Sequence, residues 1–193
     1  MSKESDESWI MLVAQVIVHR NDRQYRRRLS ALKKGLNPFT EAEAFPFVLP
    51  YADGVNATAL VRAVGLLATH KEISQLPEGK RTKLGASLRE ASQHLTGSTV
   101  LDPEKPDNIA RRLRFITNLD LEQTVLALNS VLSYVTKANI PLDWFDLTRT
   151  LLHWGNGISS GSRHVRESLV VDYYSPPAKT DSKTTQPQSE NQN

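Results

Sequence analysis

Residues 120–141 read DLEQTVLALNSVLSYVTKANIP, and this stretch decides the fold class. Its large apolar residues recur every three or four positions, which is the spacing of one face of a helix. These residues are Leu121, Val125, Leu128, Leu132 and Val135. Asp120 followed by Gln123 is typical of a helix start, and Pro141 is expected to end the helix. The stretch therefore predicts a long amphipathic helix.

The same spacing recurs on both sides of this stretch, while the alternation expected of strands is nearly absent. Asn56 or Thr58 is expected to cap one of the helices. Residues 45–51 contain two prolines and are predicted to form an extended, hydrophobic connection. We therefore predict an all-α protein, a compact bundle of roughly eight helices in one body or two lobes. Helices are expected around residues 9–17, 25–36, 60–68, 84–95, 109–116, 121–135, 144–154 and 165–169.

The two ends of the chain differ from its body in composition. Residues 1–7 are acidic and are predicted to be flexible. Residues 176–193 are rich in Pro, Ser, Thr, Gln and Asn and contain no large apolar residue, so we expect a disordered tail. Residues 8–175 remain as the helical domain.

Composition excludes several classes of protein. The 193 residues are 39% hydrophobic and 23% charged, which is ordinary for a globular protein. The absence of cysteine excludes a disulfide framework, a thiolate zinc site and a cysteine nucleophile, and it favours a cytoplasmic location. The longest apolar run, residues 9–18, is far shorter than the ~20 residues that cross a bilayer, so no membrane partner is expected.

Positive charge is concentrated in residues 20–34. The whole chain has a formal net charge of +3, yet this segment alone holds seven basic residues against a single acid, Asp22. Most charge runs are solvated helix faces, but this one lacks the acidic partners at i,i+4 that such faces usually carry. Phosphate is the natural ligand of such a face, because guanidinium groups match its geometry. The seven are Arg20, Arg23, Arg26, Arg27, Arg28, Lys33 and Lys34.

Three smaller basic clusters follow later in the chain. Each alone is more typical of solvated surface, but together with residues 20–34 they would form a continuous track for a nucleic-acid strand. Aromatic residues make up only 7% of the chain, and Tyr25 is the only one inside a basic run, so contact with the backbone is favoured over contact with bases. The clusters are Lys80, Arg81 and Lys83; Arg111, Arg112 and Arg114; and Arg163 with Arg166.

Sequence signatures of enzymes are not met. The five histidines never occur at the spacing of zinc hydrolases, and no phosphate-binding loop or dinucleotide fingerprint is present, so no metal or cofactor is expected. Residues 157–161, GISSG, match the nucleophile-elbow pattern but follow a predicted helix instead of a strand, which indicates a helix–helix turn. Glu41 and Glu43 are interpreted as solvated surface carboxylates.

Five short patterns occur in a characteristic order along residues 9–174. They are Tyr25-Arg26-Arg27; residues 47–50; residues 85–91; Arg111-Arg112-Leu113 leading to Asp120; and Leu142-Asp143-Trp144 followed by Leu151, Trp154 and Gly155. In order, spacing and chain length the sequence resembles the CasB family, the small subunit of the type I-E CRISPR surveillance complex called Cascade.

The resemblance implies an all-helical, non-enzymatic subunit, present in two copies in a ribonucleoprotein whose guide RNA pairs with one strand of invading DNA. Its partners would be the large and backbone subunits of Cascade, a second copy of itself, the guide RNA and the target DNA. The arginines that match backbone contacts in the family are Arg27, Arg111 or Arg112, Arg163 and Arg166. Together with the basic segment, the predicted nucleic-acid-binding residues are Arg20, Arg23, Arg26, Arg27, Lys34, Lys83, Arg111, Arg112, Arg163 and Arg166.

Two alternatives remain open at the level of sequence. One is a helical scaffold that binds only protein and turns its basic face towards an acidic partner. The other is a free-standing, sequence-independent nucleic-acid-binding bundle outside any CRISPR system.

Overall fold

The computed structural model describes residues 5–175 of the chain, with side chains from residue 8 onward. These residues contain nine α-helices joined by loops. Two 3₁₀ turns, Glu41–Glu43 and Leu49–Tyr51, flank the third helix. These residues contain no β-strand, and the predicted all-α class is confirmed. The helices are α1 (Ser5–His19), α2 (Arg26–Lys34), α3 (Phe45–Val48), α4 (Ala57–Thr69), α5 (Leu84–Thr96), α6 (Asn108–Ile116), α7 (Leu121–Ala138), α8 (Trp144–Leu152) and α9 (Ser160–Tyr174).

The segment predicted to be extended, residues 45–51, is helical instead. Pro46 lies in the first turn of α3, and Pro50 lies in the first turn of the following 3₁₀ segment. Proline is tolerated there because its fixed φ suits a helix and the N–H that it lacks would have no partner within the helix. The two prolines therefore begin helical turns, and α3 is the helix that the apolar spacing did not predict.

Polar side chains fix the starts of five helices. The predicted cap Asn56 is confirmed, because its side chain accepts a hydrogen bond from the Ala59 N–H at 3.0 Å, while Thr58 lies inside α4. Asp120 accepts from the Gln123 N–H at 2.8 Å and begins α7, as expected. Such caps are worth about 1 kcal/mol each. The other three are Asp107, Asp143 and Ser159.

The described residues begin and end close to the predicted domain limits. α1 begins at Ser5, three residues before the boundary expected at Ser8. Residues 1–4 of the predicted flexible N-terminus and the whole predicted tail, 176–193, lie outside the described residues. Within residues 5–175, no helix is both long and apolar enough to span a bilayer.

The apolar faces of the helices meet in one continuous core. Its centre is α4, in which every residue from Ala59 to Ala68 is buried, and α1, α2, α7 and α8 pack around it. Two indoles are fully buried, and both are hydrogen-bonded: Trp144 donates to the Ile73 carbonyl at 3.3 Å and Trp154 to the Leu119 carbonyl at 3.1 Å. The core thus holds the surface helices in fixed positions.

A close approach between two helices occurs at Gly85, where α5 meets α9. A Cβ at this position would lie against the Leu169 carbonyl oxygen and 2.8 Å from the Cβ of Asp172. α5 and α9 form the most extensive helix pair of the bundle. Glycine is therefore required at position 85 by backbone packing.

We predict that Gly85→Ala lowers the free energy of unfolding by about 1–3 kcal/mol, because the added methyl overpacks the α5–α9 contact. Gly161→Ala is the matched control, since a Cβ there meets nothing within 4 Å and alanine favours the helix, so a gain of about 0.5 kcal/mol is expected. Denaturant unfolding followed by circular dichroism measures both. Equal stability of the two variants would contradict this account of the contact.

Candidate nucleic-acid interface

The basic segment presents its cations on the outer side of α2 and of the turn before it. Leu29 and Leu32 are buried, whereas Arg23, Arg26, Arg27 and Lys33 are exposed. Within residues 8–175, no carboxylate forms an ion pair with any of these four cations. The apolar back and cationic front predicted from the sequence are therefore both present.

Two of the predicted binding residues in this segment contact the protein itself. Arg20 is half-buried and donates to the Ile73 carbonyl at 2.8 Å. Burial lowers the pKa of Arg20, and the nearby carboxylate of Glu72 opposes the shift. Lys34 pairs with Glu43 at 2.5 Å on the surface. Arg20 and Lys34 therefore stabilise the position of the segment, and their charges are less available to a ligand than those of the four exposed cations.

A buried guanidinium, that of Arg62 on α4, positions the end of α2. The Arg62 side chain is 1% exposed, and its Nη1 donates to the Gly35 carbonyl at 2.5 Å and lies 2.6 Å from Glu41 Oε2. Its Nε donates to Glu122 at 2.8 Å. Burial alone would lower the pKa of Arg62, but the bonds to Glu122 and Glu41 outweigh it and raise the pKa. Arg62 thereby joins the end of α2 to the start of α7.

The second basic cluster lies on α6. Arg111 and Arg114 are exposed, and neither pairs with a carboxylate of the described residues. Arg112 is half-buried: its Nε donates to Ser130 Oγ at 3.1 Å, and its guanidinium lies 5.2 Å from the centre of the Tyr134 ring. Arg112 therefore fastens α6 to α7 and presents less free charge than its two neighbours.

One exposed cation of α7 joins this cluster. The Lys137 ammonium lies 5.5 Å from the centre of the same Tyr134 ring that Arg112 covers, so the two charges share one aromatic side chain. Lys137 was missed by sequence reasoning, because a single lysine near a helix end gives no local signal.

His70, just after α4, contacts α7 close to the α6–α7 cluster. Its Nε2 lies 2.9 Å from Asn129 Oδ1, and Asn129 is the neighbour of Ser130, which Arg112 contacts. Burial lowers the pKa of His70, and the positive charge of Lys33 on α2 lowers it further. The end of α2 and the start of α7 are themselves neighbours, because the buried Arg62 bonds both Gly35 and Glu122.

Arg163 adds a cation beyond the C-terminal end of α6. It is exposed and lines a cavity of about 220 Å³ together with Thr117 and Asn118, the two residues that follow α6. The exposed cations of α2, of the turn before it, and of α6, α7 and α9 that have no carboxylate partner among the described residues are hereafter called the basic track. They are Arg23, Arg26, Arg27, Lys33, Arg111, Arg114, Lys137 and Arg163.

Arg166, another predicted binding residue, is buried and hydrogen-bonded within the protein. Its side chain is 5% exposed, and its guanidinium donates to three carbonyl oxygens, those of Trp154 at 3.1 Å, Gly155 at 2.9 Å and Thr117 at 2.9 Å. Burial lowers the pKa of Arg166, and Asp120 opposes the shift. Arg166 thereby links α9 to the segments that directly follow α6 and α8.

Lys83, another predicted binding residue, is not counted in the basic track, because its charge has carboxylate neighbours. It is exposed but lies 3.5 Å from Asp146, in a cavity of about 260 Å³ between α5, α8 and α9. Asp172 faces the same cavity, and burial raises its pKa while the charge of Lys83 lowers it. The neighbouring carboxylates thus compensate the charge of Lys83.

The remaining sequence motifs have structural roles. Residues 157–159 belong to the turn between α8 and α9, Ser159 caps α9, and Ser160 and Gly161 begin that helix, so the predicted helix–helix turn is confirmed. Glu41 and Glu43, interpreted as solvated carboxylates, instead pair with Arg62 and Lys34. Among the side chains that the structure describes, no group of three or more histidines and carboxylates could hold a metal ion.

We predict that Arg166→Met lowers the free energy of unfolding by about 3 kcal/mol or more, because it removes three hydrogen bonds from a charged donor. Arg163→Met is the control, three residues away and exposed, and its effect is expected to stay within about 0.5 kcal/mol. Chemical denaturation tests the pair. If both variants were equally stable, the structural role of Arg166 would be refuted.

Comparisons with known proteins agree with this fold. Residues 26–174 match the family model of the CRISPR-associated protein Cse2. A chain of a solved "CRISPR RNA-guided surveillance complex" is 24% identical, with 89% of this chain and 91% of that chain covered and a TM-score of 0.60. A Cse2 family protein from Thermus thermophilus is 17% identical, with 89% and 97% covered and a TM-score of 0.61. A comparison with curated protein sequences finds no match.

At these identities the two solved structures show a shared fold, whereas the family model shows membership. Its match runs from the first residue of α2 to the last residue of α9. The resemblance to CasB, another name for this small-subunit family, is thereby confirmed. The chain belongs to the CRISPR-associated Cse2 family.

Proposed function

We propose that this chain is a non-enzymatic small subunit of a Cascade-type CRISPR surveillance complex, and that its basic track binds the nucleic-acid backbone. In this role it stabilises the R-loop formed by guide RNA and target DNA in antiviral defence. Two findings support a role as a subunit of such a complex: membership of the Cse2 family, and the similar fold of a chain in a CRISPR RNA-guided surveillance complex. The observation that carries the binding role is the basic track, whose eight exposed cations have no carboxylate partner among the described residues.

Phosphate contact explains the choice and placement of these residues. Arg111 and Arg114 lie about one helical turn apart on α6, so their guanidinium groups are neighbours on one side of the helix. Each arginine that neutralises a phosphate releases condensed counterions, and this gain does not depend on base sequence. Guide RNA supplies sequence recognition in such complexes, so the small subunit needs to recognise only charge and spacing.

The energetic role follows from the balance of the R-loop itself. An RNA–DNA hybrid is about as stable as the DNA duplex that it replaces, so modest protein contacts decide whether the open state persists. Several exposed arginines and lysines on a rigid helical body supply such contacts. The partners proposed for the chain are the large and backbone subunits of Cascade, a second copy of itself, the guide RNA and the target DNA.

Replacing Arg26, Arg27 and Arg111 together by glutamine is expected to weaken binding of the purified chain to single-stranded DNA. The slope of log affinity against log salt should become less steep by about 2, because each lost phosphate contact contributes about 0.7. A salt titration with two unrelated sequences measures this, and both sequences should give the same slope.

The matched control is a second triple variant in which Lys80, Arg81 and Lys83 are replaced by glutamine, so that the same number of positive charges is removed. These residues line cavities beside α8 and do not belong to the basic track, so the slope should not change. Equal losses in both triple variants would contradict the assignment of the track. Absence of binding at low salt would favour a scaffold that binds only protein, which a pull-down with the other Cascade subunits would test.

A further inference from the structure

Two phenylalanines lie outside the apolar core, and both accompany the basic track. Phe39 is 95% exposed and Phe115 is 62% exposed. The other three phenylalanines of the chain pack against the core. An isolated exposed apolar residue is ordinary on a protein surface, but here each exposed ring belongs to a basic helix or to the loop that follows one: Phe115 lies on α6 beside Arg114, and Phe39 lies five residues after the end of α2.

Phe39 is held in position by a hydrogen-bonded loop at the end of α2. Its own N–H donates to Asn37 Oδ1 at 2.9 Å, and Thr40 Oγ1 donates to the Lys34 carbonyl at 3.0 Å. The Thr40 N–H also donates to the Asn37 carbonyl at 3.0 Å. Backbone and side-chain bonds therefore fix the loop to the basic helix, while the ring itself remains in solvent.

Phe115 occupies the corresponding place on the second basic cluster. It follows Arg114 directly and lies one helical turn after Arg111, so all three share the exposed side of α6. Its neighbours Leu113 and Ile116 are buried, which fixes the orientation of the helix. Each basic cluster of the track thus has one exposed aromatic ring on a fixed backbone.

Cations beside exposed aromatic rings are the arrangement by which proteins hold single strands. The cations contact the phosphates, and the rings stack on bases without selecting a sequence, because every base has a π-face. In a duplex both faces of each base are already covered by its neighbours. A surface with this arrangement therefore distinguishes a single strand from a duplex.

We propose that Phe39 and Phe115 stack on unpaired bases of a single nucleic-acid strand whose phosphates lie on the basic track. The inference rests on the proposed function and makes it more specific, because it names a single strand as the ligand and adds base contacts to the expected backbone contacts. Single-stranded DNA and single-stranded RNA offer the same chemistry, and the experiment compares them.

The test uses the full chain and the double variant Phe39→Ala/Phe115→Ala. We expect its affinity for oligonucleotides that carry 2-aminopurine to fall about fivefold or more, both for single-stranded DNA and for single-stranded RNA, since stacking on one base is worth at least that factor. The salt slope should stay unchanged, because no charge is removed. Quenching of 2-aminopurine fluorescence by the wild-type chain should disappear in the variant, and affinity for duplex DNA should remain the same.

Phe39→Leu/Phe115→Leu is the matched control, since leucine keeps an apolar side chain but lacks a ring face. It should lose affinity as the alanine variant does, and full affinity in the leucine variant would overturn the stacking assignment. A loss confined to DNA or to RNA would identify which strand the rings contact and would support the inference. Both positions are exposed, so unchanged denaturant unfolding of the variants is expected.

The inference and the proposed function fail separately. The alanine variant could bind single strands as tightly as the wild type while replacement of Arg26, Arg27 and Arg111 by glutamine still makes the slope of log affinity against log salt less steep. In that case only the stacking inference is refuted. If the wild-type chain binds no nucleic acid at low salt, both are refuted. A loss of duplex affinity equal to the loss of single-strand affinity would also overturn the inference, because stacking cannot explain it.

Discussion

The position of the basic helix α2 depends on one buried guanidinium, that of Arg62. A charge removed from water is costly unless hydrogen bonds and opposite charges surround it. Arg62 lies in the middle of the central helix, and its partners come from three other places: the carbonyl of Gly35, and the carboxylates of Glu41 and Glu122. The end of α2 and the start of α7 must therefore converge on α4, and this constraint fixes where the basic helix α2 lies.

Acidic residues compensate some cations of the described residues and leave others without a partner. Glu41 and Glu122 compensate Arg62, Glu43 compensates Lys34, and Asp146 lies beside Lys83. The cations of the basic track have no such partners among the described residues. Uncompensated charge of one sign repels itself, and an anionic strand relieves that repulsion. The internal ion pairs and the free track together favour a nucleic-acid ligand over a purely structural surface.

The helices could be predicted from sequence because apolar spacing alone specifies which face of each is buried. Prediction from sequence failed where one residue type occurs in two kinds of structure. Pro46 and Pro50 suggested an extended segment, but both lie in the first turn of a helical segment. The same ambiguity affects arginine, since Arg163 is exposed whereas Arg166, one turn later, is buried against three carbonyls. No local sequence pattern distinguishes the two arginines, because the burial of each depends on which residues from other parts of the chain pack against α9.

Some site residues are visible only in three dimensions. Lys137 joins the track because Arg112 and Lys137 share the ring of Tyr134, a contact between two helices. Arg62, in contrast, gave a signal that sequence reasoning did not use: it is the only charged residue in α4, whose other members are largely apolar. A charge in such a setting is buried with partners more often than it is free.

Lysine acetylation of the chain, with and without bound single-stranded DNA, tests the central claim most directly, because mass spectrometry reads every lysine of one unaltered protein. The account predicts that DNA protects Lys33 and Lys137, which lie on the basic track, and leaves Lys80 and Lys83 as reactive as before. Protection of Lys80 and Lys83 with no change at Lys33 and Lys137 would contradict it and would place the nucleic acid beside α8.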